Sequence, residues 1–314
     1  MSLLTLFAAA AVAASAPVAS EMTVPGPQGP LAGTLIDAGK GAPVVLVIPG
    51  SGPTDRDGNN PLGVTAATYR LLADALAERG VSSVRIDKRG LFGSKAAVAD
   101  PNAVTVADYA GDAHAWVDAI RARTGADCVW LLGHSEGGLV ALQAAQDPRG
   151  LCGVILVATA GRRLGAVMRE QLNANPANAP ILPPTLAAID SFEAGRRVDP
   201  ATLPAPVRPM FSAAVQGYLI DMFAHDPAKL TAAITLPVLI VQGERDIQVA
   251  VADARALKAA APKATLTLVP AVNHVLKAVE SDDRAANIAT YRDPSLPVAP
   301  GVVDAVAGFV TAKR

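Results

Sequence analysis

Residues 133–137 read Gly-His-Ser-Glu-Gly, with the apolar run Val129-Trp130-Leu131-Leu132 before them and Leu139-Val140-Ala141-Leu142 at helical spacing after them. A serine in a sharp turn between a buried strand and a helix presents its hydroxyl toward the positive end of that helix, the arrangement of a nucleophile elbow. Gly133 and Gly137 leave the space beside Ser135 free for such a turn. A serine hydroxyl is a weak nucleophile near neutral pH until a base takes its proton, and the base needs an orienting acid. Of the 4 histidines, His274 alone stands in a loop directly after a strand, in Pro270-Ala271-Val272-Asn273-His274. His134 should point away from Ser135, His114 belongs to an amphipathic helix, and His225 falls in an irregular central segment. The acid should also follow a strand, and Val238-Leu239-Ile240-Val241 runs into Gly243-Glu244-Arg245-Asp246, where Asp246 and Glu244 both qualify. The chemistry these residues could support is acyl transfer through a serine ester. The ordinary alternatives are a turn serine and a surface histidine.

The elements that must position them alternate. Pro43 to Pro49, Val81 to Ile86, the elbow strand, Val154 to Ala158, Pro237 to Gln242 and Thr265 to Val269 are strand-like runs. Helical patterns cover Thr65 to Arg79, stopped by Gly80, and a stretch capped by Thr105 whose Val106, Tyr109, Ala113, Trp116, Val117 and Ile120 form one face. Further helices are expected over Val251 to Ala261 and Val302 to Ala312, and a short edge hairpin ends in Leu31 to Ile36. Strands alternating with helices predict a mainly parallel sheet covered on both faces. Residues 161–227 break this rhythm, being rich in Pro and Asn and too long for a loop. They read as an inserted helical cap with helices near Leu164–Leu172, Pro184–Arg196 and Val207–Phe223. Ser281 to Asp293 reads as a surface loop or a frayed helix.

A formal net charge of −1 and the lack of a Lys/Arg cluster exclude a nucleic-acid footprint. No internal run is long enough to cross a membrane. Leu3 to Ala14, followed by small residues and Pro17, reads as a secretory signal peptide, although no Lys or Arg precedes it. Cleavage is expected after Ser20 or, less comfortably, after Ala16, so the protein should be exported, periplasmic or secreted. The expected division is 1–20 leader, 21–160 core, 161–227 cap and 228–314 core again. Cys128 and Cys152 sit at the starts of two strands flanking one helix; they either bridge or are two buried thiols. No Cys/His cluster suggests a metal, and no cofactor is expected.

Five stretches together resemble the α/β-hydrolase family, in its order and over nearly the whole mature chain: Pro49-Gly50-Ser51-Gly52, Asp87 to Ser94, Gly133 to Gly137, Gly243 to Asp246, and Asn273-His274. Within it, the Gly-Ser-Gly-Pro-x-Asp-Arg-Asp-Gly loop and the elbow are most similar to exported bacterial esterase-like and serine aminopeptidase-like members. The resemblance implies a mostly parallel central sheet with helices on both faces and an inserted helical cap. It also implies a triad of Ser135, His274 and Asp246, the family's Gly-x-x-Asp pattern favouring Asp246 over Glu244. It assigns the oxyanion donors to the backbone N–H groups of Ser51 and Glu136, giving Glu136 its importance through its backbone. Ser51 stands where many lipases have a His-Gly-Gly-Gly loop. Met210, Tyr218 and Met222 of the cap are candidates for the substrate pocket, or else simply pack the cap on the core. Asp55, Arg56 and Asp57 either meet a polar part of the substrate or pair with each other or with Lys88 and Arg89. The implied activity is hydrolysis of small or medium acyl esters. The alternatives are a peptidase that would use Glu170, Asp190, Glu193, Asp199 or Asp221 to hold an amino terminus, an acyltransferase that excludes water, and a ligand-binding module on an inactive scaffold.

Overall fold

The computed structural model describes residues 18–100 and 103–312. The apolar run Leu3 to Ala14 therefore lies outside the described residues, whereas Ala19 and Ser20 of the expected leader belong to the first strand. Eight strands form one sheet: β1 (Ala19–Pro25), β2 (Pro30–Ile36), β3 (Val44–Ile48), β4 (Ser82–Ile86), β5 (Val129–His134), β6 (Leu151–Val157), β7 (Val238–Gly243) and β8 (Thr265–Val269). Their order is β1-β2-β4-β3-β5-β6-β7-β8. The first two form the expected edge hairpin, β2 meets β4 antiparallel, and every pairing from β4 to β8 is parallel.

The helices of the core are α1 (Thr68–Glu78), α2 (Val106–Thr124) and α3 (Glu136–Ala144). Between β6 and β7 follow α4 (Leu164–Asn173), α5 (Leu182–Glu193), α6 (Gln216–Ala224) and α7 (Pro227–Ala232), and later α8 (Val251–Ala260), α9 (Arg284–Ala289) and α10 (Pro300–Ala312). Strand β3 shows why its run is apolar throughout. Leu46 and Ile48 pack with Trp116, Ile120 and Val140 on one face, while Val45 and Val47 pack with Leu72, Leu76 and Val302 on the other. A strand covered on both faces has no solvent side to make polar. Thr105 caps α2 as its sequence predicts: its hydroxyl accepts the Asp108 N–H (3.1 Å) and the Asp108 carboxylate accepts the Thr105 N–H (2.9 Å).

The chain crosses from β3 to β4 on one side and then returns to place β5 on the other side of β3. That reversal opens a crevice at the carboxyl ends of β3 and β5, where open α/β sheets bind ligands. The loop starting Pro49-Gly50-Ser51 and the elbow at Ser135 leave the sheet there.

Helices α4, α5 and α6 make the cap and own a separate apolar cluster. Phe192 packs with its ring tilted against Phe211 and Phe223 at centroid distances of 5.4 and 5.9 Å. The third cap helix begins at Gln216 rather than at Val207. Pro204, Pro206 and Pro209 lack the N–H groups a longer helix would use. The buried Gln216 side chain instead ties the preceding turns together through Val198 and Phe211. Where the chain enters the cap, the fully buried Asp253 accepts the N–H groups of Gly161 and Arg162 and pairs with the Arg162 guanidinium at 2.7 Å. Cys128, just before β5, and Cys152, within β6, are joined by a disulfide with a Cα–Cα distance of 5.1 Å.

Candidate active site

Ser135 sits at φ 55°, ψ −120°, a conformation that a non-glycine residue adopts only where its surroundings enforce it. Its N–H is held by the Val157 carbonyl at 2.9 Å, and its own carbonyl accepts the Gly138 N–H at 3.0 Å. The flanking glycines are required by contact. A Cβ at position 133 would lie 2.2 Å from the Gly137 carbonyl oxygen, and one at 137 would lie 2.2 Å from that of Ile48. The turn leaves the Ser135 hydroxyl at the mouth of α3 without a hydrogen-bond partner among the described residues.

The structure brings His274 and Asp246 together. His274 Nδ1 lies 2.8 Å from Asp246 Oδ2, both side chains being almost fully buried, and His274 lines a cavity together with Ser135. The other Asp246 oxygen, Oδ1, accepts the N–H groups of Gln248 (2.7 Å) and Val249 (2.9 Å). Burial pushes the Asp246 carboxyl up, but His274 and these two N–H groups outweigh it and hold the group below its usual range. A carboxylate facing Nδ1 places the imidazole proton there and leaves Nε2 as the acceptor. Glu244 is exposed, and only its backbone joins the sheet end.

The His274 loop is held by residues outside the sequence-based assignment. The fully buried Asn273 side chain donates to Asn287 Oδ1 (3.1 Å) and Thr290 (2.7 Å) and accepts the Lys277 N–H (3.1 Å). Asn287 donates in turn to the Arg245 carbonyl at 2.8 Å, joining the base loop to the acid loop. Thus α9, read from its polar sequence as a loop or frayed helix, clamps two loops of the site.

His134 does turn away from Ser135, but it is not idle. The Gly50 N–H donates to the Tyr69 hydroxyl (2.9 Å), which lies 2.9 Å from His134 Nδ1, while His134 Nε2 lies 2.8 Å from the His274 carbonyl. The carbonyl can only accept, so Nε2 carries the proton and Nδ1 accepts from Tyr69. One neutral imidazole thereby joins the loop after β3 to the backbone of His274. Burial, and then the nearby His274, lower the His134 pKa to about 3. An unfolded chain would protonate this residue near pH 6.5 and the folded one only near 3. His134 therefore contributes stability that is complete above pH 6.5 and is lost as pH falls toward 3, at up to about 1.4 kcal/mol per pH unit. Urea unfolding of the wild type between pH 6 and 4 should show this slope, and His134→Gln should lack it; equal slopes in both would contradict the assignment.

The backbone N–H groups of Ser51 and Glu136 have no acceptor among the described residues, and both residues border a cavity with Ser135. The Glu136 side chain has a part that its backbone role did not suggest. Its Oε1 accepts from Lys88 Nζ (3.0 Å) and from the Tyr218 hydroxyl (2.8 Å), in a buried ion pair under the cap. The charges of the 55–57 loop do not pair with Lys88 and Arg89. Arg56 pairs with Asp87 and Glu21, Asp57 pairs with Arg85, and Asp55 accepts the N–H groups of Asp57 and Asn59. Arg89 is taken by Asp108 and Asp112.

Two chambers meet at Ser135, sharing Ser51, Ser135 and Gln248. The smaller, about 140 Å³, is lined by His274, Tyr69, Thr54, Asn60 and Tyr291. The larger, about 360 Å³, is mostly apolar and runs under the cap between Leu139, Val167, Met168, Leu219, Met210 and Met222. Tyr218, expected in the pocket, is not part of this lining, its hydroxyl being engaged by Glu136.

Residues 62–182 match the serine aminopeptidase (S33) family. Esterase EstD of Thermotoga maritima is 29% identical over 214 residues, which are 66% of this chain and 47% of that protein. The chain thus spans about half the length of this curated relative. Among solved structures, a malate-bound thermophilic esterase from Thermogutta terrifontis superposes over 94% of this chain and 99% of its own, with 18% identity and a TM-score of 0.56. Est1E from Butyrivibrio proteoclasticus with ferulic acid bound covers 93% of this chain and 98% of its own, with 18% identity and a TM-score of 0.59. The eight-stranded, mostly parallel sheet with its flanking helices, and its likeness to these structures, give the chain the α/β-hydrolase fold.

Proposed function

We propose that the protein is a serine hydrolase that cleaves carboxylic esters through an acyl-Ser135 intermediate. The observation that carries this reading is the set of three groups around one crevice: a strained, unpartnered Ser135, the His274–Asp246 pair at 2.8 Å, and two free N–H groups at Ser51 and Glu136. His274 takes the Ser135 proton as Oγ attacks the carbonyl carbon, and the oxyanion is received by the two N–H groups. His274 then gives the proton to the departing alkoxide, leaving the acyl ester on Ser135. Water repeats the sequence: it loses a proton to His274, attacks the ester, and Ser135 leaves with that proton, releasing the carboxylic acid.

The chambers divide the substrate. The group that leaves must be reached by His274, which lines only the smaller chamber, so the alcohol belongs there and the acyl chain belongs in the apolar chamber under the cap. A volume of about 360 Å³ suits a medium acyl chain or an aryl acid. Met210 and Met222 then touch the acyl group.

An aminopeptidase would need a carboxylate free to accept the substrate ammonium group. Glu136 is the one acidic residue lining either chamber among the described residues, and Lys88 occupies it. The cap acids are also engaged: Glu170 with Arg162, Asp190 and Glu193 with Arg169, Asp221 with the Val106 N–H, and Asp199 with the Ala201 N–H. Ester hydrolysis is therefore favoured over amide cleavage at an amino terminus.

A panel of chromogenic esters of increasing acyl length, run beside aminoacyl anilides, tests the reading. Each added methylene should raise kcat/KM by up to about fourfold, the equivalent of ~0.8 kcal/mol, until the chamber fills. Faster cleavage of the anilides, or a preference for acetyl esters over every longer chain, would overturn it. We also propose export through the leader, a reading supported by the Cys128–Cys152 disulfide, since disulfides persist mainly in oxidising compartments.

A further inference from the structure

Gly50 poses a problem that the neighbouring buried ion pair solves. A Cβ at position 50 would lie 3.2 Å from the Ser135 Cβ and press on the nucleophile, and glycine leaves that approach clear. Glycine, however, also leaves the following peptide free to rotate. The Gly50–Ser51 peptide must keep one orientation for the Ser51 N–H to serve the oxyanion. Flipped, it would present the Gly50 carbonyl oxygen, an acceptor, to a developing negative charge.

The peptide is held from the far side. Lys88 Nζ donates to the Gly50 carbonyl at 2.8 Å. The C=O and N–H of a trans peptide point in opposite directions. A carbonyl drawn to Lys88 therefore turns the Ser51 N–H the other way, and that N–H is the one without an acceptor among the described residues. Lys88 is itself held in place. Its side chain is 4% exposed, pairs with Glu136 Oε1 at 3.0 Å, and lies 5.4 Å from the centroid of the Tyr109 ring. Tyr218 of α6 donates to the same carboxylate oxygen at 2.8 Å and meets Tyr109 edge-on at a centroid distance of 5.5 Å. A buried ion pair of this kind is poor value as a stabiliser, because desolvation offsets most of its attraction. Its geometry fits a different task.

We infer that Lys88 is a positioning residue for the oxyanion donor at Ser51: it fixes the Gly50–Ser51 peptide and is held by Glu136, which Tyr218 of the cap secures. The inference rests on reading Ser135 as the acyl nucleophile. It concerns a charged group, outside the triad and its donors, that touches no reacting atom.

The test compares wild type, Lys88→Met, and Lys88→Met/Glu136→Gln, the last removing both buried charges so that neither is left unpaired. Each is measured for kcat and KM on one ester and for affinity toward an alkylboronic acid, which forms a tetrahedral anion on a nucleophilic serine. The double variant, folded by circular dichroism, should lose about 10²-fold in kcat. It should lose a similar factor in boronic acid affinity, with KM within about threefold of wild type. A wild-type kcat, a rise in KM alone, or a fall in kcat with boronic acid affinity unchanged would each overturn the role of Lys88. Wild type that hydrolyses no ester and binds no boronic acid would instead sink the reading of Ser135.

Discussion

Ser135→Ala should lower kcat on the best ester by roughly 10⁶-fold, the scale of loss seen when a serine nucleophile is deleted. The substitution is clean in this structure. Alanine keeps the Cβ, so the backbone at φ 55° is no more strained than before. The hydroxyl that disappears has no hydrogen-bond partner among the described residues, so no buried donor or acceptor is orphaned. The variant should therefore unfold at the wild-type temperature while its activity is gone. A kcat within tenfold of wild type would mean that some other group performs the attack. A large loss of both activity and Tm would mean that the serine is structural.

Asp246→Asn should cost about 10⁴-fold in kcat, and the surroundings of the carboxylate explain why the amide cannot escape the wrong orientation. Oδ1 faces two donors, the N–H groups of Gln248 and Val249. An Asn amide nitrogen placed there would meet donor against donor, so its oxygen must take that position and its NH2 must take the place of Oδ2. Oδ2 faces His274 Nδ1 and, at 3.2 Å, the Gln242 Nε2 donor, so the NH2 meets one donor there instead of the two at Oδ1. The NH2 would then force Nδ1 to accept, moving the imidazole proton to Nε2, the nitrogen that has to receive the proton of Ser135. The loss should appear in kcat and kcat/KM alike, with KM little changed. Glu244→Gln serves as the comparison: that side chain is exposed, and the variant should match wild type on the same ester.

What the sequence disclosed followed from locality. Ser135, Asp246 and His274 each come directly after an apolar strand, so strand runs and their exit loops were enough to order them along the chain. The strand order was not readable. Nothing in Val44–Ile48 says that it lies between β4 and β5, yet that placement brings Ser51 beside Ser135. The same limit hid the partners of the charged residues. Lys88 and Arg56 stand on neighbouring loops, and either could have been matched with the 55–57 acids. Only the folded chain shows Lys88 turned toward Glu136 and Arg56 toward Asp87. Tyr69 falls in the helical run Thr65 to Arg79 and Asn273 in the loop after the last strand run. Their polar atoms matter for partners 65 and 14 positions away, His134 and Asn287. Cap residues were hardest to assign, because a Met or Phe at helical spacing looks the same whether it faces Phe192 or a substrate chamber. Phe211 and Phe223 face Phe192, whereas Met210 and Met222 line the chamber.

The most direct test of the account is peptide mapping after exposure of the intact protein to a fluorophosphonate, a reagent that phosphonylates activated serines. The account predicts one adduct per chain, on the peptide containing Ser135, blocked by prior addition of a good ester substrate and absent from Ser135→Ala. No adduct on the wild-type protein, or an adduct that persists in Ser135→Ala, would contradict it.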